Sequence, residues 1–167
     1  MKGNLSHPHL PAQNVFLEPT VTYSLPPHLT AEAGCDALAH CMDGFFAANS
    51  NSFSDALALQ AIRLIRKYLP TAVEQGQNVE ARTQLLIASN MAMQAFVSAG
   101  GSGPIHTCSR AISARLNIPH GLADGVLIST VMKAADYHYA PRIVDFAAAF
   151  GTKLDGLPPQ EYVEATV

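Results

Sequence analysis

The sequence predicts an all-α fold, a helical bundle preceded by a short extended arm. Apolar residues recur with the helical period in successive segments from about residue 31 onward. Short breaks rich in Gly, Pro, Asn and Ser separate these segments, as expected where helices end. Strand-like segments are confined to residues 1–29. The chain has 167 residues, enough for one domain with a real core.

Residues 1–29 form the arm. They hold five of the eleven prolines, which favour extended backbone in the residues that precede them. Residues 14–17 are predicted to form a short strand and residues 21–23 a second extended piece. His7 and His9 lie in this arm, and we expect both side chains to be exposed to solvent.

The first helix is predicted over about residues 31–47. Thr30 is a suitable N-cap because its hydroxyl can accept a hydrogen bond from a backbone N–H of the first turn. Leu38, Met42 and Phe45 recur at helical spacing and form the predicted apolar stripe.

The next helix is predicted from Ser54 to Pro70, since proline ordinarily interrupts a helix. A short helical turn is expected near residues 71–75, followed by a long helix over residues 79–98. Its predicted core positions are Leu86, Met93 and Val97.

Residues 99–104 are rich in glycine, but a helix precedes them, whereas a phosphate-binding loop follows a strand. We therefore predict a helix C-cap at this point. The remaining helical stretches are predicted over residues 104–116, 119–137 and 141–150, with a further helical segment starting at Pro158.

The composition restricts the possible partners. Charged residues make up 14% of the chain and apolar residues 49%, which suggests that another subunit or domain covers part of the surface, as in a homo-oligomer. The net charge of −3 and the lack of a Lys/Arg cluster argue against nucleic acid and membrane partners. Three cysteines without a Cys-x-x-Cys pair, and no apolar leader or span, predict a cytoplasmic location.

The candidate metal ligands are an aspartate and three histidines. Asp36 and His40 are one helical turn apart and therefore project from the same helix face. His106 and His120 lie in or at the start of other apolar helices. Each histidine alone is more simply a hydrogen-bonded core residue. Together, one carboxylate and three imidazoles form a ligand set suited to Fe(II) or Zn(II).

Three motifs resemble the iron-containing (group III) alcohol dehydrogenases. They are LPPHLTAEAGCDALAH at residues 25–40, DALALQAIRL at residues 55–64 and IPHGLA at residues 118–123. The resemblance extends from about residue 10 to the end of the chain. It implies that the metal ligands are the set Asp36, His40, His106 and His120.

The resemblance also implies a reaction. In that family the metal holds the alcohol oxygen as a Lewis acid and permits hydride transfer to NAD(P), and the reverse reaction reduces an aldehyde or ketone. The expected substrate is therefore a small alcohol, aldehyde or ketone. The ligand set does not choose between Fe(II) and Zn(II).

The chain departs from the family in length. Members begin with a nucleotide-binding domain, and nothing here corresponds to it. We therefore expect residues 1–29 to represent the end of such a domain, and residues 30–167 a helical metal-binding domain shortened at its C-terminus. NAD(P) would bind only if another chain supplied the nucleotide-binding part.

A second departure lies beside the predicted ligand His106. The family commonly has a histidine four residues later, where this chain has Arg110. A guanidinium stays charged and cannot shuttle a proton, but it can pair with a carboxylate on a substrate. We predict that Arg110 contacts the substrate or the cofactor. Asp124, where asparagine is frequent, also indicates a divergent branch.

Three functions remain open from the sequence. The chain is the metal-binding domain of an iron-type alcohol dehydrogenase, a metal-binding helical domain without redox activity, or a structural helical domain that self-associates, for example as a dimer. Bound metal separates the third from the others, and NAD(P)H binding separates the first two.

Overall fold

Eight α-helices build the fold in the computed structural model, which describes Leu10 and residues 12–166. Within that part of the chain there is no β-strand, so the predicted all-α class is confirmed. The helices are α1 (Pro27–Phe45), α2 (Ser52–Glu74), α3 (Val79–Ser98), α4 (Pro104–Leu116), α5 (His120–Ala134), α6 (Asp136–Tyr139), α7 (Ile143–Phe150) and α8 (Tyr162–Thr166).

Helix α1 begins at Pro27, one turn before the predicted start. Pro26 is extended, with ψ of 158°, because the ring of the following proline disfavours helical backbone at the residue before it. Pro27 occupies the first helical position, where its missing N–H costs nothing. The predicted cap at Thr30 is therefore wrong, and its hydroxyl instead donates to the Pro26 carbonyl inside the first turn.

Helix α1 is the centre of the fold and packs against α2, α3, α4 and α5. Met42 and Phe45 are fully buried and Leu38 is partly buried against the core, as their spacing predicted. Because α1 touches both α4 and α5, polar side chains on its remaining face meet side chains from the two later helices.

Helix α2 begins after Asn51, whose side chain accepts hydrogen bonds from the backbone N–H groups of Phe53 and Ser54. It continues through Pro70 to Glu74, so the predicted end at Pro70 is wrong. Pro70 is exposed, and buried residues on both sides of it hold the helix against its neighbours. Tertiary packing here outweighs the loss of one backbone hydrogen bond.

Helix α3 has the predicted bounds, but its buried face differs from the prediction. Met93 is 45% exposed and Val97 is 63% exposed, whereas the buried positions are mainly alanines together with Phe96. Small side chains let α3 approach α1 closely: a Cβ on Gly44 of α1 would lie 3.0 Å from the Phe96 Cα. The prediction that Met93 and Val97 are core residues is therefore wrong.

The C-terminal half follows the prediction more closely. Helix α4 has the predicted bounds, while α5 ends at Ala134, earlier than predicted, and α6 follows it. Short 3₁₀ turns, Ala140–Arg142 and Pro159–Glu161, precede α7 and α8.

The arm forms no strand in its described part. Residues 14–17 are irregular and exposed, and Pro19–Thr22 is a 3₁₀ turn, so the two extended segments predicted there are wrong. Glu18 caps this turn by accepting a hydrogen bond from the Thr20 N–H. His7 and His9 lie outside the described residues. Across residues 10 and 12–166, every helix is too short or too polar to cross a membrane.

Candidate metal centre

Four donor side chains from three helices converge beside the central helix. Asp36 of α1, His106 of α4 and His120 and Asp124 of α5 each offer one donor atom, and these atoms lie within 4.8 Å of one another. The structure thus brings together three of the four predicted ligands. His40 is not a member of this four-donor group but lies directly beside it, with its ring centroid 4.1 Å from that of His106.

Asp36 is the common neighbour of the histidines. Its Oδ1 lies 3.7 Å from Nε2 of His106 and 3.7 Å from Nε2 of His120, and its Oδ2 lies 3.5 Å from Nδ1 of His40. These distances exceed ordinary hydrogen-bond lengths, so the groups face one another without bonding directly.

Helix α5 supplies the other side of the centre. His120 and Asp124 are one turn apart, and His120 Nε2 lies 3.5 Å from Asp124 Oδ2. Close approach of α5 to α1 places this pair opposite Asp36. A Cβ on Gly121 would lie 2.3 Å from the Glu32 carbonyl oxygen of α1, so only glycine permits the contact.

A buried carboxylate orients the His106 ring. Asp43 Oδ2 accepts hydrogen bonds from His106 Nδ1 and from the His106 backbone N–H, both at 2.9 Å, and Oδ1 accepts from the Ile105 N–H at 3.2 Å. Asp43 therefore also caps the N-terminus of α4, which has no side-chain cap of its own. A Cβ on Gly103 would lie 2.1 Å from the Asp43 Cγ, so Gly103 makes room for this carboxylate.

The other two rings are oriented in the same sense. His40 Nδ1 donates to the Asp36 backbone carbonyl at 2.9 Å, since a carbonyl can only accept. His120 Nδ1 faces Ser109 Oγ at 3.5 Å, and that hydroxyl donates to the His106 carbonyl. In all three histidines Nδ1 is directed at an oxygen atom of the protein, so Nε2 is the ring nitrogen that can bind a metal.

The carboxylates set the charge of the centre. Burial opposes the charge on His106, but Asp36 and Asp43 outweigh it and raise the pKa of His106 to about 9. Burial, together with the neighbouring His106, lowers the pKa of His40. Burial raises the pKa of Asp124, whereas for Asp36 the effect of burial is overcome by the histidines, which lower its pKa.

The residues present fit a divalent cation. Asp36 Oδ1, His106 Nε2 and both oxygens of Asp124 are buried and lack a hydrogen-bond partner among the described residues. Buried polar atoms in proteins are nearly always hydrogen-bonded, and those that are not require an explanation. A metal ion at their point of convergence would satisfy all of them, since imidazole and carboxylate are its ordinary ligands.

Sequence reasoning did not identify Asp43 or Asp124 as part of the centre. Both carry a signal that could have found them: Asp43 lies one turn beyond His40 on the face of Asp36, and Asp124 lies one turn beyond His120. Arg110 is half-buried on α4, and its guanidinium makes no ion pair among residues 10 and 12–166. Its predicted contact with substrate or cofactor stays a prediction.

Comparison with known proteins identifies relatives of known class. Residues 30–167 match the model of the protein family described as "Fe-containing alcohol dehydrogenase family, C-terminal". The probable alcohol dehydrogenase EutG of Escherichia coli is 43% identical over 132 residues, which is 79% of this chain and 33% of that protein. The 1-propanol dehydrogenase PduQ of Salmonella typhimurium is 38% identical over 71% of this chain and 32% of its own length.

Solved structures agree in fold. A 1,3-propanediol oxidoreductase superposes with a TM-score of 0.83 at 32% identity, over 89% of this chain and 39% of that one. A sulfoacetaldehyde reductase from Bifidobacterium kashiwanohense, solved in complex with NAD⁺, superposes with a TM-score of 0.74 at 32% identity, over 89% of this chain and 38% of that one. The chain spans about a third of the length of the curated relatives it matches.

Proposed function

This chain belongs to the Fe-containing alcohol dehydrogenase family, and from that premise we propose that it is the metal-binding domain of an NAD(P)-dependent alcohol dehydrogenase. The reaction is the interconversion of a small alcohol with an aldehyde or ketone by hydride transfer. The convergence of unpartnered, buried donor atoms on one point is the observation that carries the proposal.

The proposed ligands of the metal are Asp36, His40, His106 and His120. A divalent ion, Fe(II) or Zn(II), supplies Lewis acidity toward the oxygen of the alcohol or carbonyl group. The protein keeps the ligands ready for it. Nδ1 of His40 and Nδ1 of His106 each donate a hydrogen bond to an oxygen of the protein, Nδ1 of His120 faces Ser109, and Nε2 of each ring is left available. The buried Asp43 fixes the ring of His106.

Arg110 is proposed to contact the substrate or the cofactor. It lies one turn beyond His106 on α4, half-buried, without an ion-pair partner in the described chain. A guanidinium in that state can form a bidentate pair with a carboxylate or a phosphate. Arginine side chains in general do not exchange protons in turnover, unlike the histidine that the family commonly has at this position.

NAD(P) is proposed to bind on a nucleotide-binding part outside the helical region 30–167, with residues 1–29 as the linker. Two observations support this division. The curated relatives are about three times as long as the matched region. The arm also presents apolar side chains to solvent, with Phe16 91% and Val21 73% exposed, which suits a surface that another domain or chain covers.

The test is metal analysis of the purified protein and of two variants. We expect about one Fe or Zn per chain. Asp36→Ala and His120→Ala should each abolish it, because each removes a side chain that faces the convergence point. Asp55→Asn, which changes a carboxylate paired with Arg142 on another face, is the control and should retain the metal. Unchanged metal content in both ligand variants would contradict the proposal.

A second candidate is a metal-binding or structural helical domain that self-associates without catalysis. The exposed apolar arm favours it as much as it favours a nucleotide-binding partner. NAD(P)H titration distinguishes the two candidate functions. It is carried out on the metal-loaded chain alone and on the same chain mixed with a chain that supplies the nucleotide-binding part. Self-association without any NAD(P)H binding in either sample would favour the second candidate.

A further inference from the structure

We propose that Asp124 is an additional ligand of the same metal ion, so that two carboxylates from facing helices share it. This inference rests on the proposed metal site and adds a residue to it. Asp36 and His40 on α1 and His120 and Asp124 on α5 form two aspartate–histidine pairs, each one turn apart.

Burial of Asp124 is the first argument. Its side chain is fully buried, and neither carboxylate oxygen has a hydrogen-bond partner among residues 10 and 12–166. A carboxylate removed from water without a partner is costly, and a cation is the partner that compensates it best. His120 Nε2 lies 3.5 Å from Asp124 Oδ2, too far for a strong hydrogen bond.

Direction is the second argument. A carboxylate that merely orients a metal-binding histidine contacts the nitrogen that does not bind the metal, as Asp43 contacts Nδ1 of His106. Asp124 faces Nε2 of His120, the same nitrogen that faces Asp36. The Nδ1 of His120 faces Ser109 instead. Asp124 thus lies on the metal side of the ring.

Two carboxylates change the chemistry of the centre. Together they balance the charge of a divalent ion, and they add a hard oxygen donor to the imidazoles. Carboxylate oxygens suit Mn(II), whereas imidazole nitrogens suit Zn(II). Removing the charge of Asp124 should therefore weaken the binding of Mn(II) more than that of Zn(II).

The first experiment titrates the full chain, stripped with a chelator, with Mn(II) and with Zn(II). We expect Asp124→Asn, which preserves shape, to weaken Mn(II) binding by about ten- to a hundredfold. Asp55→Asn should leave both affinities unchanged. Thermal unfolding of the stripped proteins checks that each variant is folded. Equal Mn(II) affinity of Asp124→Asn and the wild type would overturn the inference.

The second experiment detects direct ligation. Asp124→Cys loaded with Co(II) should show a thiolate-to-cobalt charge-transfer band in the near ultraviolet, which arises only if the introduced sulfur binds the ion. The wild type, which retains Cys35 beside α5, supplies the baseline. A folded variant that binds Co(II) without this band would overturn direct ligation, whatever the Mn(II) result.

The two proposals fail differently. If the wild type binds none of these ions, the metal site itself is refuted, and the role of Asp124 with it. If the wild type binds them and the Asp124 variants show neither effect, only the inference on Asp124 is refuted.

Discussion

Replacing Asp43 by asparagine should both destabilise helix α4 and weaken metal binding. The carboxylate is fully buried and accepts three hydrogen bonds, two from His106 and one from the Ile105 N–H. An asparagine of the same shape has one acceptor oxygen and one NH₂ group. If the oxygen faces His106, the NH₂ group faces the Ile105 N–H, and one buried donor loses its partner.

The magnitude follows from these three bonds. An unpaired buried donor costs about 1–3 kcal/mol. The two remaining bonds lose their charge assistance, which is worth on the order of 1 kcal/mol each. We therefore expect the free energy of unfolding to fall by about 3–5 kcal/mol, a large part of the 5–15 kcal/mol typical of a domain. Metal affinity should fall by about ten- to a hundredfold, because the His106 ring loses its orientation.

Urea denaturation of the chelator-stripped protein, followed by circular dichroism, measures the first effect, and metal titration measures the second. Asp55→Asn is the matched control. Its carboxylate pairs with Arg142 at 2.6 Å and makes no contact with His106 or with the N-terminus of α4 among the described hydrogen bonds and ion pairs. An Asp43→Asn variant as stable as this control would refute the assignment of Asp43 as the cap of α4 and the support of His106.

Four further outcomes are expected. Gly121→Ala should weaken metal binding and lower the melting temperature, because the added Cβ would lie 2.3 Å from the Glu32 carbonyl oxygen and force α5 away from α1. Metal affinity should fall by about tenfold for each pH unit below 9, since the ion must displace the proton held by His106, whose pKa is raised to about 9. The pKa of His106 is raised from 6.5 to about 9 in the folded state, so protonation of His106 stabilises the metal-free protein at low pH. The free energy of unfolding should therefore fall as the pH rises through 9, which denaturation at pH 6 and at pH 10 measures. Pro70→Ala should raise the free energy of unfolding by about 1–3 kcal/mol, because it restores an N–H donor inside α2 without changing an interior contact.

The helices could be predicted where local signals and packing agree. The bounds of α3 and α4 follow from capping and proline signals at their ends. Pro70 misled the prediction because the signal for a helix end is local, whereas contacts on either side of it decide the outcome. The exposure of Met93 could not be predicted either, since periodicity does not reveal that alanines make the closest interhelical contact.

The site could be predicted in part for a similar reason. Spacing placed Asp36 and His40 on one helix face. The position of His106 and His120 in or at the start of apolar helices made them candidates, and the family resemblance implied all four as ligands. Which nitrogen of each ring is free, and which carboxylate supports it, depends on how three helices pack, and no residue pattern specifies that. The role of all four residues as metal ligands stays a prediction.

The convergence of donors from α1, α4 and α5 has a consequence for the kinetics of metal exchange. Helices α4 and α5 pack against each other and against α1, while α2 and α3 form their own extensive contacts with α1. Local opening of a contiguous unit costs less than global unfolding. An ion held between these helices can therefore dissociate when α4 and α5 separate from α1, while α1, α2 and α3 stay packed together. The rate of metal release would then equal the rate at which α4 and α5 open locally. Hydrogen exchange at the backbone amides of these two helices should occur at a matching rate.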